Sequence, residues 1–547
     1  MNKTPPAADS PPATRKVGLI RSSMIFSALT LVSRFLGLAR DLVITAKLGA
    51  AFAGDAYYTA LSFPNLFRRM FAEGAFAAAF VPEYSRRLAA AGDRDADRYA
   101  ADALVTMAVF TSALTVLCQL AMPWLMMVYS YGFLENPAKF KLAVVLTQIT
   151  MPYLPCVVIA ALFSGVLTSR GRFVISGLYP AIQNVVMLIV VLPQKDAIHA
   201  AYAASWGALV SGFMQAGLCW WGAHRSGARI SPKQLKLTPE MRTLARRMGP
   251  GIIASSAVQI NLFISAMLAS QVPGMRVWLN IAERFYQLPL SLVGTAIGVA
   301  LLPRLSLAFQ RDDHSDAQAA TDQGLVFALA LSLPAGAALM AAAHYLVDGL
   351  FTRGAFTAAD ASSSALILFH YGWGLPAFVL VKILQPAFFA RGDTKTPMRY
   401  SLISVGLNVV FGVSLFYTIG FQGIAIATSL ATWISVLQLT LTLARQKAYR
   451  PSARAWSKMV RVAAASAGMG VALALATHFR ADVEGPISQL PVLGRYAKEF
   501  GVLLLCGAGA AVYPVLLFAF GGVTPGEVRA AFRRRKGDPA PVVADLP

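Results

Sequence analysis

The residues that could do chemistry in this sequence are charged side chains set inside long apolar stretches. Arg34, Arg40 and Asp41 fall in the first such stretch and Arg68, Arg69 and Glu73 in the second. Glu283 and Arg284 fall in the eighth, Lys382 in the tenth, and Asp55 stands at the outer mouth of the second. Near the centre of a bilayer each charge costs at least about 2.5–3.5 kcal/mol even on a lenient scale, so retained charges mark pathways, pairs or ligand sites. Arg34 and Asp41 are seven residues apart and share a helix face, while Arg69 and Glu73 are one turn apart and can pair. The arginines outnumber the acids, and a guanidinium presents a permanently charged planar fork that matches phosphate. The chemistry this implies is the gripping of an anion, a phosphate or pyrophosphate, within a membrane. Arg40–Asp41, close to a helix end, also reads as a structural ion pair, and Lys382 reads equally as a snorkelling side chain.

Other chemistries lack their residues. There is no phosphate-cradling G-x-x-x-x-G-K-[ST], no H-E-x-x-H and no G-x-S-x-G. The six histidines are scattered, and Cys118, Cys156, Cys219 and Cys506 lie in apolar stretches without paired spacing, as small core residues do. Asp312, Asp313 and Asp316 form the one acidic cluster, in a hydrophilic loop beside Arg311 and His314, a poor magnesium site for a polyprenyl-phosphate enzyme. No enzyme, metal or cofactor is expected; energy would come from the membrane potential, an ion gradient or the substrate gradient.

The elements that must position these charges follow from hydropathy. Of 547 residues, 56% are apolar and only 14% charged, which is a membrane composition. A span needs about 20 apolar residues, and fourteen segments qualify: 23–48, 57–82, 101–128, 142–168, 173–193, 199–222, 248–271, 279–303, 322–346, 363–389, 399–419, 421–443, 458–478 and 499–522. With the N-terminus inside, roughly 33 Lys and Arg fall on the inner face and roughly 9 on the outer, the bias of an inner-membrane protein with both termini cytoplasmic. The net charge of +22 therefore lies along one face, against anionic lipid headgroups, and does not point to nucleic acid. Pro64, Gly74, Pro289, Gly294, Gly298 and Pro386 break helical patterns inside spans, where protein or water must satisfy the freed backbone groups.

The chain also resembles itself at an offset of about 221 residues. Segment 60–82 aligns with 281–303, Ser169-Arg170-Gly171 with Ala390-Arg391-Gly392, and Asn184-Val185-Val186 with Asn408-Val409-Val410. Six helices per repeat give two lobes of equal orientation, a transporter architecture with its path between the halves. The expected organisation is a disordered tail 1–22, an N-lobe 23–222, a basic linker 223–247, a C-lobe 248–443, a second basic linker 444–457, two extra helices within 458–522 and a tail 523–547. The second and eighth helices are repeat equivalents, so their charges would face one another across a cationic cavity.

The strings Arg34-Phe35-Leu36-Gly37-Leu38-Ala39-Arg40-Asp41, Asp55-Ala56 and Pro64-Asn65-Leu66-Phe67-Arg68-Arg69-Met70-Phe71-Ala72-Glu73-Gly74-Ala75-Phe76 resemble the signature of the MurJ (MviN) family. These are bacterial lipid II flippases of the multidrug/oligosaccharidyl-lipid/polysaccharide (MOP) exporter superfamily. Gln287-Leu288-Pro289 and Gly392-Asp393-Thr394-Lys395-Thr396-Pro397 extend the resemblance over nearly the whole chain. It implies an all-α polytopic fold of two six-helix lobes plus two C-terminal helices bordering a lipid-tail groove. It implies headgroup binding by Arg34, Arg40, Arg68 and Arg284, with Asp41, Asp55, Arg69, Glu73 and Glu283 in supporting or gating roles and Lys382 as a further candidate. It also implies export of lipid II, an undecaprenyl-pyrophosphate disaccharide-pentapeptide, by alternating access for peptidoglycan synthesis, among other cell-wall synthesis proteins. Two departures stand out: Ile281-Ala282-Glu283-Arg284 replaces the family's Tyr-Ala-Asp-Arg, and the seventh segment carries Gln259 and Asn261 where some relatives place a sodium-binding acid. A related exporter of another lipid-linked oligosaccharide is the alternative.

Overall fold

The computed structural model describes residues 14–71, 76–231, 238–310, 314–489 and 493–522, and every regular element among them is helical. In the first half these are α1 (Thr14–Leu48), α2 (Ala53–Arg68), α3 (Phe76–Ala90), α4 (Asp93–Leu120), α5 (Met122–Tyr129), α6 (Pro137–Thr150), α7 (Tyr153–Ser169), α8 (Phe173–Val191) and α9 (Ala197–Arg225). The second half holds α10 (Pro239–Ala269), α11 (Met275–Gln310), α12 (His314–Ala341), α13 (Ala343–Phe351), α14 (Ala358–Phe389), α15 (Lys395–Ile419) and α16 (Gly423–Arg445). Then follow α17 (Ala453–His478), α18 (Arg480–Ser488) and α19 (Ala497–Ala519). Each of the fourteen expected spans falls on one of these helices or on a consecutive pair, as α2–α3 and α6–α7 do. Nine helical segments among the described residues are long and apolar enough to cross a membrane. α1 starts earlier than expected: residues 14–22 were assigned to the disordered tail, but they are helical. The proline-rich composition ends at Pro12, and the Arg, Lys, Leu and Ile that follow extend the apolar helix toward its N-terminus. Residues 1–13 and the tail 523–547 lie outside the described residues.

Contacts group the chain into two compact units. The first comprises Met1–Ile44, Ala60–Leu125 and Lys141–Ser255; the second comprises Thr45–Thr59, Met126–Phe140 and Ser256–Pro547. Within the first, α3 and α4 pack on α7, and α7 and α8 pack on α9. Within the second, α11 and α12 pack on α14, and α14 and α15 pack on α16. The same neighbours recur in the same order, which is the internal repeat in three dimensions. α17 lies outside it, against α12, and α19 packs on α17 and α13.

Helix ends repeat as closely as helix neighbours. α7 closes with Arg172 N donating to Leu167 O and Gly171 N to Thr168 O, and α14 closes with Asp393 N donating to Phe388 O and Gly392 N to Phe389 O. Gly171 and Gly392 have φ of 73° and 75°, the left-handed turn that ends a helix at lowest cost when no Cβ is present. α9 and α16 end in a second matched turn, with Ala228 N on Ala223 O and Ala448 N on Leu443 O. There Gly227 has φ 92° while its counterpart is Lys447 at φ 52°.

The proline break in α2 is answered by a side-chain donor, and the one in α14 lies at a close helix approach. Pro64, inside α2, has no N–H to offer Ala60 O, and Thr150 Oγ1 at the end of α6 donates to that carbonyl at 2.6 Å. Pro376 in α14 has no N–H to offer Gly372 O, and that carbonyl lies against α12 at Gly336, where a Cβ would stand only 2.6 Å from the oxygen. Backbone close approach between small residues is a common way for membrane helices to pack.

Candidate functional site

In the first unit the site is built on α1, α2 and α8. Arg40 and Asp41 are buried, and Arg40 Nε and Nη2 donate to Asp41 Oδ1 at 2.9 and 2.6 Å. Arg40 Nη1 donates to Asn184 Oδ1 of α8 at 2.9 Å, and Asn184 Nδ2 donates to Ser33 O of α1 at 3.0 Å. A guanidinium removed from water is stable only when paired and hydrogen-bonded, and this one is. The sequence put Arg34 and Asp41 on one helix face; the structure leaves Arg34 exposed on α1 and gives Asp41 to its neighbour Arg40.

α2 carries Arg68 and Arg69 at a change of helical pitch. Arg68 closes α2, and residues 69–71 form a wider π turn, a distortion often found at functional sites. Arg68 is half-buried, and its Nε donates to Asn65 Oδ1 at 2.8 Å, one turn back. Arg69 is exposed. Glu73, with which Arg69 was expected to pair, lies outside the described residues.

In the second unit Glu283 and Arg284 sit half-buried on α11. The face beside them is set by Tyr286, whose ring meets Tyr371 and Phe378 of α14 at centroid distances of 4.8 and 5.4 Å. Lys382, four residues beyond Phe378 on α14, is exposed.

Asp55 makes a second charge cluster, entirely within the second unit. It lies in the first turn of α2 with 0% exposure, and its Oδ2 accepts from Lys139 Nζ at 2.6 Å and from Gly274 N at 2.7 Å. Gly274 immediately precedes α11, so the carboxylate meets the N-terminal end of that helix, where an anion is favoured. Arg276 is buried beside it and donates Nη2 to Tyr129 O at 2.7 Å and to Ser130 Oγ at 3.1 Å. The Phe133 ring carries Lys139 Nζ at 4.2 Å and the Arg276 guanidinium at 5.4 Å. Asp55 and Arg276 are separated by the repeat offset of 221 residues, so repeat-equivalent positions hold opposite charges.

Sequence reasoning named Asp55 but not Lys139 or Arg276. These read as ordinary connection residues, two of the few basic groups on the sparse face. It also missed two arginine networks in the first unit. Arg170 donates to Tyr84 Oη at 2.9 Å and Asp97 Oδ1 at 2.8 Å, and Asp97 Oδ2 accepts from Arg229 N at 2.7 Å. Glu83 accepts from Arg86, Arg87 and Arg247 at 2.7–3.0 Å. Burial of Glu83 works against its charge, but these guanidinium groups outweigh it and hold the carboxyl below its ordinary range. The basic runs signalled such pairing; the partners, up to 164 residues away, could not be read.

Comparison with known proteins fixes the lineage. The family model described as lipid II flippase MurJ matches residues 44–492. The chain belongs to the MurJ family. A probable lipid II flippase MurJ of Rhizobium tropici is 35% identical over 535 residues, covering 96% of this chain and 98% of its own. The lipid II flippase MurJ of Burkholderia cenocepacia is 32% identical over 448 residues, covering 80% and 86%. Among solved structures, a lipid II flippase MurJ in an inward closed conformation superposes with TM-score 0.73 at 23% identity, covering 91% of this chain and 98% of that one. An inward-facing multidrug resistance MATE transporter of the MOP superfamily superposes with TM-score 0.63 at 14% identity, covering 78% and 98%. At those identities the superpositions establish the shared fold. The chain is thus a multi-pass membrane protein of a MurJ transporter family, not of a hydrolase family.

Proposed function

We propose that this protein is a flippase that carries lipid II from the cytoplasmic to the periplasmic leaflet of the bacterial inner membrane, by alternating access, for peptidoglycan synthesis. The observation that carries the reading is the retention of arginines on α1, α2 and α11, at the motif positions of a MurJ-family chain. Arg34, Arg40, Arg68 and Arg284 are the proposed pyrophosphate grip. Asp41 balances Arg40, Glu283 accompanies Arg284, and Asp55, Arg69 and Glu73 support or gate the site, with Lys382 a further cationic contact. A pyrophosphate suits this set because guanidinium groups bind phosphate oxygens in pairs and keep their charge at any physiological pH.

Both termini are placed in the cytoplasm by the excess of Lys and Arg on one side of the expected spans. An inside-negative potential then favours outward movement of an anion by about 2.3 kcal/mol per charge per 100 mV, so the membrane potential or an ion gradient supplies the drive without a cofactor. Membrane lipids and other cell-wall synthesis proteins are the expected surroundings.

Depletion of the protein in its host, followed by a leaflet-specific assay of lipid II, tests this. Lipid II should accumulate on the cytoplasmic side and recover when wild type is restored. An unchanged distribution, in a host with no second flippase, would direct attention to another lipid-linked oligosaccharide.

A further inference from the structure

We infer that Asn184, on α8, is a positioning residue for the cationic site: it fixes the guanidinium of Arg40 and the adjacent backbone of α1 in one geometry. The inference rests on the reading of Arg40 as part of a pyrophosphate grip and names a residue of that grip that its charge pattern does not reveal. Asn184 is 7% exposed and lies 144 residues from Arg40 in sequence. Its two amide atoms face different demands. Oδ1 accepts from Arg40 Nη1 at 2.9 Å, and Nδ2 donates to Ser33 O at 3.0 Å.

Those demands set both residue type and orientation. A guanidinium offers only donors and a backbone carbonyl only accepts, so the amide can satisfy both in one flip state and neither in the other. Asp could not donate to Ser33 O, and Leu could do neither. Ser33 and Arg40 are about two turns apart on α1, and Gly37 lies between them. A Cβ on Gly37 would stand 3.6 Å from Asn184 Nδ2, an ordinary packing distance, so the amide lies directly against this stretch of α1.

The electrostatic consequence concerns the charge that Arg40 can present. Asp41 Oδ1 holds Nε and Nη2, and that carboxylate neutralises Arg40. Asn184 holds the third nitrogen with a neutral acceptor, so it orients the fork without adding negative charge that would oppose an anionic headgroup. A carboxylate at position 184 would accept from Arg40 equally well and turn the neutral Arg40–Asp41 pair net negative. Asn184 therefore acts through Arg40, and its removal should be felt in anion affinity more than in folding.

The test uses the purified full chain in detergent with undecaprenyl pyrophosphate as probe, measuring binding and thermal unfolding together. Hydrogen bonds to charged groups sustain changes of about tenfold or more. Asn184→Ala should weaken pyrophosphate binding by about tenfold, and Asn184→Asp by at least as much, in protein that the unfolding curve shows to be fully folded at the assay temperature. In an Arg40→Gln background Asn184→Ala should cause no further loss, because both act on the same contact. Multiplicative losses in the double variant would overturn the inference, as would a lowered midpoint with undiminished binding by the folded protein. Failure of the wild type to bind the probe, with Arg68→Ala indistinguishable from it, would instead overturn the proposed grip itself and the inference with it.

Discussion

Two of the buried charge groups among the described residues are built in opposite ways. Around Arg40 a cation in a helix interior is balanced by its chain neighbour Asp41 and held by the amide of Asn184. Around Asp55 a carboxylate at a helix start is surrounded by Lys139, Arg276 and the first free N–H before α11. The first combines one positive and one negative charge; the second carries one negative and two positive. A group in a helix interior has no unpaired backbone N–H beside it, and Arg40 is oriented by the side chains of Asp41 and Asn184. A group at a helix end can also use the unpaired N–H groups. The difference separates a site suited to presenting a guanidinium from one suited to holding chain segments together.

The largest way to break this contrast is to remove the carboxylate on which the second group depends. Asp55→Ala would leave Lys139 and Arg276 buried without their counter-charge, a loss of about 3–5 kcal/mol. The purified variant should unfold at a markedly lower temperature, whereas Asp55→Asn, which still accepts from Gly274 N, should lose less. Equal midpoints for all three proteins would show that the cluster contributes nothing to the fold.

A smaller effect sharpens the account of the first unit. If Pro64 opens α2 just before Arg68 and Thr150 repairs the opening, Thr150→Val leaves Ala60 O unsatisfied and should cost about 1–3 kcal/mol. In a Pro64→Ala background the helix supplies its own donor, so Thr150→Val should then be nearly silent. Denaturation of the four proteins checks this, and equal losses in both backgrounds would refute the link between the two residues.

The smallest difference lies between the repeats themselves. Gly227 and Lys447 occupy matched left-handed turns, and a side chain in that conformation costs about 1–2 kcal/mol. Lys447→Gly should raise stability by about 0.5–1 kcal/mol after allowing for glycine's greater freedom in the unfolded chain, read as a small upward shift in midpoint. A decrease would mean that the Lys447 side chain contributes more than its backbone strain removes.

These contrasts also show what a sequence exposes. The expected spans landed on helices because each needs only a local run of apolar residues, and the repeat survived as matched helix ends at Gly171 and Gly392. Arg40–Asp41 was visible because its partners are consecutive. Asn184 was noticed only as part of a repeated Asn-Val-Val string, since nothing local says that its amide reaches α1. Lys139 and Arg276 were passed over because a basic residue in a connection reads as a solvated one until the chain folds it against Asp55 and Phe133. Residues 14–22 were misassigned because a proline-rich start was extended past the last proline.

The central claim is that the arginines of α2 and α11 carry the substrate's pyrophosphate across the membrane. Its most direct test is translocation of labelled lipid II by the purified protein in vesicles, comparing wild type with Arg68→Ala and Arg284→Ala at matched incorporation. Wild type should move lipid II between leaflets, and each variant should lose at least tenfold in rate with its unfolding midpoint unchanged. Wild-type rates in both variants would contradict the account.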